Sequence, residues 1–175
     1  MSLLGNAVIN TAIAEMNRED PGYTGTIDNR SPRVDVYLAY NHALPPSSDI
    51  PGNEWCGYFV RWCYGQHGVR LPHEVAGGRS LKQYGDHNPR WVIWRAGNPP
   101  CPVQAGDIFV TARLNHVAMV EGVAVIREVA STTSFTTIEG NQTDPNEPTW
   151  GRRGVKRRTR NFTDCAMILR YPEAT

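Results

Sequence analysis

The stretch NEWCGYFVRWCYGQHG, residues 53–68, carries aromatic and apolar side chains at helical spacing and a cysteine near its start. These side chains form two adjoining stripes, and a helix with so wide an apolar surface is mostly buried. We expect Asn53 to be its N-cap and Gly68 its C-terminal stop. The pattern therefore predicts a buried helix with Cys56 in its first turn.

Cys56 has two interpretations. Free cysteine is among the most buried residue types, so a packing role is the ordinary expectation. In the first helical turn, however, unpaired backbone N–H groups and the positive end of the helix dipole favour the thiolate form. The same N–H groups can stabilise the oxyanion that forms after attack on a carbonyl. A nucleophile placed here gains activation and transition-state stabilisation from one feature.

Two further helices are predicted before this segment. Apolar residues recur at near-helical spacing over residues 2–18, which indicates an amphipathic helix. A second helix is expected from Ser31 to the residues before Pro45, because proline does not continue a helix. After the central helix, residues 69–105 are predicted to be irregular, with one helical turn near Leu81.

The second half of the chain is predicted to form strands. Short apolar or β-branched runs bounded by glycine and polar turns lie at residues 106–111, 116–123, 135–140 and 165–171. Helices followed by consecutive strands indicate an α+β fold. We expect the N-terminal helices to pack on an antiparallel sheet, with Cys56 at the start of the central helix.

Length and composition bound the class of protein. With 175 residues, 40% of them hydrophobic and 20% charged, the chain is expected to form a single domain over residues 1–175 with one core. The net charge of +1 gives no overall attraction to nucleic acid or membrane. No stretch approaches the roughly 20 apolar residues that span a bilayer. The N-terminal segment lacks the features of a signal peptide, so we expect synthesis in the cytoplasm.

The cysteine content indicates free thiols. The chain has four cysteines, and it is too long to need a disulfide framework. We therefore expect reduced thiols, with Cys63, Cys101 and Cys165 in structural roles.

A cysteine nucleophile needs a base, and the base needs an orienting group. His116 opens the strand predicted at 116–123, and Glu139 closes the strand predicted at 135–140. An antiparallel pair of these strands brings Glu139 beside His116. Asn141 points to the same side as Glu139 if the chain stays extended. Each residue alone also fits a turn or a strand edge, and it is their combination that predicts a site.

The order of these motifs resembles a known family. The segments WCGYFVRWC, AGDIFVT, NHVAMVEG, TIEGNQ and AMILRYP follow one another along the chain. In this respect the chain is similar to the CHAP domain, the cysteine- and histidine-dependent amidohydrolase/peptidase family related to NlpC-type peptidases. The resemblance covers residues 50–172 and leaves residues 1–49 as an N-terminal helical extension.

The resemblance implies a papain-like fold and cleavage of an amide bond in peptidoglycan. The bond is either the N-acetylmuramoyl-L-alanine amide or one within the stem peptide or cross-bridge. By resemblance, Cys56 is the nucleophile, His116 the general base and then acid, Glu139 the orienting carboxylate and Asn141 a polar fourth member. Neither a metal nor an organic cofactor is implied. Trp55 stands where many relatives carry a polar residue, often glutamine, so the oxyanion hole is left with the backbone amide of Cys56.

The resemblance also predicts partners and a setting. Peptidoglycan is the implied partner, and we expect a monomer that acts on the cell wall, in the periplasm or outside. A wall hydrolase without a signal peptide is released by lysis, as a phage endolysin, or delivered by a secretion machine, as an antibacterial effector. An effector implies a cognate inhibitor protein in the producing cell.

Other functions remain open at this point. Six basic residues at positions 152–160 suggest either a nucleic-acid surface or, as we favour, a basic edge strand. A catalytically inactive binding module of the same fold and an acyltransferase that passes the acyl group to an amine are further alternatives.

Two metal sites are weaker alternatives. Cys63 and His67 lie four residues apart, with Cys56 two turns earlier, but further zinc ligands at a familiar spacing are missing. The second alternative is a calcium site. Its candidate ligands do not follow the spacing of a calcium loop and are expected to form a polar surface turn. Its residues are Asp144, Asn146 and Glu147.

Overall fold

The computed structural model describes residues 2–18, 32–40, 55–122, 134–143 and 153–172. Within these ranges the helices are α1 (Leu3–Met16), α2 (Pro32–Tyr40), α3 (Cys56–Gly65) and α4 (Gly78–His87). The strands are β1 (Val92–Arg95), β2 (Ile108–Thr111), β3 (Val117–Gly122), β4 (Ser134–Thr143), β5 (Arg153–Asn161) and β6 (Cys165–Leu169). Among these described residues, no helix has both the length and the hydropathy needed to cross a membrane.

The described strands form one antiparallel sheet in the order β1-β6-β2-β3-β4-β5. An α+β fold with helices and an antiparallel sheet is therefore confirmed, and each of the four predicted strands is present. The basic run forms most of β5, which pairs within the described residues only with β4. The expectation of a basic edge strand is thus confirmed.

The prediction that residues 69–105 are irregular is wrong. This segment contains α4, which is 10 residues long, and β1, which pairs with β6. A Cβ atom added at Gly85 of α4 would lie 3.2 Å from side-chain atoms of Leu169 and Val92, so glycine forms part of the helix face toward the sheet. A face built from glycine gives no apolar periodicity, which is why the sequence pattern misses the helix.

The central helix begins later than predicted. Trp55 is the N-cap, its side chain makes no capping hydrogen bond, and Cys56 is the first helical residue. Asn53, the expected N-cap, lies outside the described residues. The correction moves Cys56 closer to the helix end and keeps it in the first turn.

The predicted C-terminal stop of α3 is confirmed. Gly68 has a φ of 75°, in the left-handed region. Its N–H donates to the Gly65 carbonyl at 3.0 Å, and the Val69 N–H donates to the Tyr64 carbonyl at 3.2 Å. These two bonds form a Schellman motif, which uses glycine because its residue must have positive φ.

Both faces of the sheet are covered. The main core lies between the helices and one face of the sheet, and it contains Ile108 and Val110 of β2. Phe109, which lies between them in sequence, packs into a smaller cluster with Phe135 and Phe162. Alternation along β2 therefore supplies two separate apolar layers, as the two-residue period of a strand requires.

The N-terminal helices belong to the main core. Val8, Ala12 and Tyr37 are each fully buried in the same cluster as α3. Glu15 of α1 accepts hydrogen bonds from Arg33 at 2.5 and 2.6 Å and from the Tyr37 hydroxyl at 2.7 Å. Burial raises the pKa of the Glu15 carboxyl, but the Arg33 and Tyr37 hydrogen bonds outweigh it and the pKa is lowered. The carboxylate therefore ties α1 to α2 inside a shared core.

Candidate active site

Cys56 lies at the start of α3, where backbone donors remain outside the helical ladder. The bond that follows the N-cap runs from the Phe59 N–H to the Trp55 carbonyl at 2.9 Å. The amides of Cys56 and Gly57 precede it, and the positive end of the helix dipole lies at the same place. The Cys56 side chain is only 1% exposed. The thiol therefore lies in a site largely shielded from water, next to donors suited to an anion.

Two glycines let other elements approach this helix start. A Cβ at Gly57 would fall on the backbone carbonyl groups of Val75 and Ala76, in the 3₁₀ turn before α4. A Cβ at Gly140 of β4 would lie 2.8 Å from the Trp55 ring. Glycine at both positions is therefore a packing requirement that sets the distance from α3 to its neighbours.

His116 lies immediately before β3 and joins Cys56 to Glu139. Its Nε2 atom is 3.0 Å from Oε2 of Glu139, and Cys56 is near enough to act on the pKa of the ring. A carboxylate can only accept, so Nε2 donates to it, and Nδ1 is the ring nitrogen left for another partner. Burial lowers the pKa of His116, but Cys56 and Glu139 outweigh it and raise the pKa to about 9. The imidazole is therefore charged at neutral pH.

Glu139 lies in β4, opposite the β3 strand that follows His116. Its side chain is 0% exposed. It accepts two hydrogen bonds from Arg160, at 2.7 and 2.8 Å, and one from the Thr137 hydroxyl at 2.6 Å. Burial raises the pKa of Glu139, but Arg160, His116 and Thr137 outweigh it and lower the pKa to about 2. Glu139 is therefore a permanently ionised partner for His116.

The fourth predicted residue is placed differently from expectation. Asn141 has a φ of 61°, and the pairing of β4 with β5 shifts register between Glu139 and Gln142. The chain is therefore not extended here, so the condition under which Asn141 was expected to point with Glu139 is not met. The amide that contacts the imidazole belongs to Gln142, whose Nε2 is 3.0 Å from Nε2 of His116. Asn141 is buried nearby and lines the same cleft as His116.

The Gln142 contact constrains its amide orientation. His116 Nε2 already donates its proton to Glu139, and an amide N–H aimed at the same nitrogen would place two donors head to head. The contact is favourable when the amide turns to present its oxygen, an orientation that hydrogen bonding decides. Gln142 then acts as a second acceptor for the imidazolium.

Sequence reasoning missed three side chains of this site: Thr137, Gln142 and Arg160. Thr137 lies two residues before Glu139 on the same side of the strand, so alternation was an available signal. Arg160 was counted only as part of the basic run. Opposite Glu139 the register places Lys156 rather than Arg160, so simple strand pairing gives no sign of the contact.

A cleft of about 660 Å³ opens beside the site. Its described lining includes His116, Asn141, Gln142 and Arg160 together with the turn between β2 and β3. The lining is mainly polar and His116 lies at its wall. Cys56 is not among the described lining residues, so the cleft reaches the imidazole but not the thiol itself.

Two residues of the basic run make ion pairs within the described part of the chain. Arg157 makes a bidentate pair with Glu121 at 2.5 and 2.7 Å, and Arg160 holds Glu139. Lys156 and Arg158 also have interaction partners. Much of this charge is therefore already used within the protein.

The residues weighed as metal ligands have other contacts. His67 Nε2 is 2.9 Å from the Thr11 hydroxyl. Burial raises the pKa of the Cys63 thiol well above its usual range. Cys56 is a partner of His116. The candidate calcium ligands, residues 144–147, lie outside the described residues.

The remaining cysteines are free thiols, as is Cys56. Burial raises the pKa of Cys165 to about 12, and burial also raises the pKa of Cys101. A high pKa disfavours the nucleophilic thiolate.

Comparison of the chain with protein-family models, with curated proteins and with solved structures finds no match.

Proposed function

We propose that this protein is a cysteine-dependent amidase or peptidase of papain-like architecture that cleaves an amide bond in bacterial peptidoglycan. The observation that carries the proposal is the grouping of Cys56, in the first turn of a helix, with His116, which acts on it electrostatically and lies 3.0 Å from Glu139. A nucleophile, a base and a buried orienting carboxylate in that order are the components of amide hydrolysis through an acyl-enzyme.

The first half of the reaction forms a thioester. The Cys56 thiolate attacks the amide carbonyl carbon, and the oxyanion lies against the backbone N–H groups at the start of α3. His116, as an imidazolium, donates its Nδ1 proton to the amide nitrogen while the C–N bond breaks. The amine product leaves, and the acyl group remains on the Cys56 sulfur.

The second half releases the acyl group. Neutral His116 takes a proton from water, and the resulting hydroxide attacks the thioester carbonyl. The C–S bond breaks, a carboxylic acid leaves, and the thiolate–imidazolium pair is restored. Glu139 holds the imidazole ring and stabilises its charge, while its own proton affinity stays too low to take the proton.

The choice of peptidoglycan rests on the motif resemblance, and a polar cleft of about 660 Å³ beside His116 is consistent with it. We propose the N-acetylmuramoyl-L-alanine amide or a stem-peptide or cross-bridge bond as the target. The proposed setting is an antibacterial effector with a cognate inhibitor protein, or a phage endolysin. In both, the protein acts on the cell wall after delivery or lysis.

The test is digestion of peptidoglycan sacculi under reducing conditions by the parent protein, by Cys56→Ala and by the conservative Cys56→Ser. We expect soluble fragments from the parent only, and mass spectrometry of their new termini identifies the bond. Thermal unfolding of each variant checks that the fold is kept. If folded parent protein leaves sacculi intact, the hydrolase proposal fails, and transfer of an acyl group to an added amine is the next reaction to assay.

A further inference from the structure

The turn between β2 and β3, residues 112–115, is held in one conformation at the wall of the cleft. The Thr111 N–H donates to the His116 carbonyl at 3.1 Å, and the Leu114 N–H donates to the Thr111 carbonyl at 2.9 Å. The Thr111 hydroxyl donates to the Asn115 side-chain oxygen at 3.0 Å. The turn that precedes the base is therefore hydrogen-bonded along its length.

Leu114 is the strained residue of this turn. Its φ is 57°, in the left-handed region that an L-residue with a branched side chain rarely adopts. The conformation is held by packing: the Leu114 side chain contacts the main core. A Cβ on Gly78, at the start of α4, would lie only 2.7 Å from the Leu114 carbonyl oxygen. Strain that the surrounding structure maintains is common where geometry serves a site.

Arg113 is the charged residue that this turn presents. It is exposed and lines the same cleft as His116. No hydrogen bond or ion pair of Arg113 is present in the described part of the chain, although Arg157, Arg160 and Arg170 all hold carboxylates there. The Arg113 guanidinium therefore lies beside His116 with its donors not engaged by any residue of the described ranges.

The other charges of the cleft do not neutralise Arg113. Among the described lining residues the other groups that can carry positive charge are Arg160 and His116, and both contact Glu139. The carboxylate of the lining is Asp164, and one of its oxygens accepts from the Asn161 N–H at 2.8 Å, within the short turn before β6.

We propose that Arg113 binds a free carboxylate of the substrate, on the peptide beside the amide that is cut. This inference rests on the proposed function and adds a substrate class to it: acidic peptides, in preference to the same peptides with that carboxylate amidated. Guanidinium and carboxylate match as two parallel N–H···O bonds, so the contact gives orientation as well as affinity. Peptidoglycan stem peptides offer such carboxylates on their second and third residues.

The experiment separates binding from turnover. Two synthetic muramoyl stem peptides are used, one with a free α-carboxylate on the second residue and one with that group amidated. Their dissociation constants are measured by calorimetry on Cys56→Ala protein, alone and combined with Arg113→Gln, Arg113→Lys or Arg90→Gln. Arg90 is also an exposed arginine, lines a different cleft and serves as the matched control. Hydrolysis of both peptides is measured in parallel with Cys56 restored.

We expect the Cys56→Ala protein to bind the free carboxylate roughly 10- to 100-fold more tightly than the amidated peptide, the range for a charged hydrogen-bonded contact. Arg113→Gln brings the two peptides to the same affinity, Arg113→Lys keeps part of the preference because it lacks the bidentate geometry, and Arg90→Gln keeps all of it. The assignment is overturned if the preference survives Arg113→Gln, if both peptides bind equally, or if neither peptide binds. A carboxylate preference in binding without hydrolysis of either peptide means that the subsite stands and the proposed hydrolase does not.

Discussion

At the scale of single residues, Glu139 is the most constrained group of the site. It is fully buried and accepts hydrogen bonds from Arg160, Thr137 and His116. Charged donors on both sides keep the carboxylate ionised in spite of desolvation. The consequence is a chain of charges in which Arg160 neutralises Glu139 and Glu139 supports the imidazolium of His116.

This arrangement predicts the pH dependence of activity. The pKa of His116 is raised from 6.5 to about 9, so the imidazolium is present through neutral pH and is lost as the pH rises through about 9. Since the imidazolium protonates the leaving amine, kcat/KM is expected to fall on its alkaline side near pH 9. Glu139→Gln removes one source of the raised pKa, so the alkaline limb moves toward the ordinary histidine value of about 6.5.

The measurement is the pH profile of kcat/KM for the parent protein and for Glu139→Gln. Glu121→Gln is the matched control, because Glu121 lies on the neighbouring strand, pairs with Arg157 and has no contact with His116. An alkaline limb that stays in place after Glu139→Gln contradicts the role given to this carboxylate.

The residues of the site were predictable to the extent that local spacing determined them. Cys56, His116 and Glu139 are brought together as the helix start and the antiparallel strands require. The argument for Asn141 assumed an extended chain, and its positive φ ends the alternation on which that argument relied, although Asn141 still lines the cleft with His116. Arg160 reaches Glu139 from beyond the directly paired position, and such a diagonal contact depends on sheet geometry that a linear sequence does not display.

At the scale of elements, the contact between β4 and the start of α3 positions the carboxylate relative to the thiol. Gly140 directly follows Glu139, and its α-carbon faces the Trp55 and Phe59 side chains. Any side chain here pushes the strand away from the helix. The backbone of β4 therefore sets the geometry of the candidate site, although it makes no contact with substrate in the proposed reaction.

Replacement of Gly140 by alanine is expected to lower the free energy of unfolding by about 1–3 kcal/mol, the usual cost of overpacking. It is also expected to reduce kcat, since the carboxylate moves away from the His116–Cys56 pair. Gly122→Ala on β3 is the control, because a Cβ there has no atom within 4 Å. Urea unfolding and steady-state kinetics measure the two effects, and equal behaviour of the two variants would contradict the close-approach argument.

Elements with an apolar stripe were predictable, and elements with glycine or few apolar residues were not. The aromatic residues of α3 indicate a helix in the sequence, although Trp55 rather than a polar side chain occupies its N-cap. α4 buries Gly78, Leu81 and Gly85, and a pattern with a single large apolar residue does not distinguish a helix from a turn. β1 has four residues and requires β6 as a partner, so nothing local indicates it.

At the scale of the whole molecule, α1 and α2 are structural parts of the body that holds the site. The segment expected as an N-terminal extension contributes Val8, Ala12 and Tyr37 to the core beneath α3. Arg33 of α2 connects α1 to α3: it pairs with Glu15 of α1, and its guanidinium carbon lies 4.9 Å from the centroid of the Trp62 ring in α3. Loss of this connection therefore affects the helix that carries Cys56.

Glu15→Ala is expected to lower the free energy of unfolding by about 3–5 kcal/mol, because it leaves the Arg33 charge without its buried partner. Glu74→Ala is the control: Glu74 is exposed on the turn before α4, where substitutions usually change stability by no more than about 0.5 kcal/mol. Chemical unfolding followed by tryptophan fluorescence measures both. A Glu15→Ala protein as stable as the parent would show that the network contributes little.

The general architecture followed from the order of helical and strand patterns, but the order of strands in the sheet did not. β6 lies between β1 and β2, so the last strand of the described chain pairs with strands that precede it by about 55 to 75 residues. Pairings over such distances are selected by the complete fold rather than by local preference.

The position of β6 has a consequence for protein synthesis. As the chain leaves the ribosome, β2, β3, β4 and β5 can pair in succession, but β1 has no neighbour and β2 keeps a free side until residues 165–169 have emerged. An unpaired apolar strand edge is a template for association with other chains. The nascent polypeptide therefore passes through a period in which the backbone of β2, Phe109 included, has no partner on its β6 side.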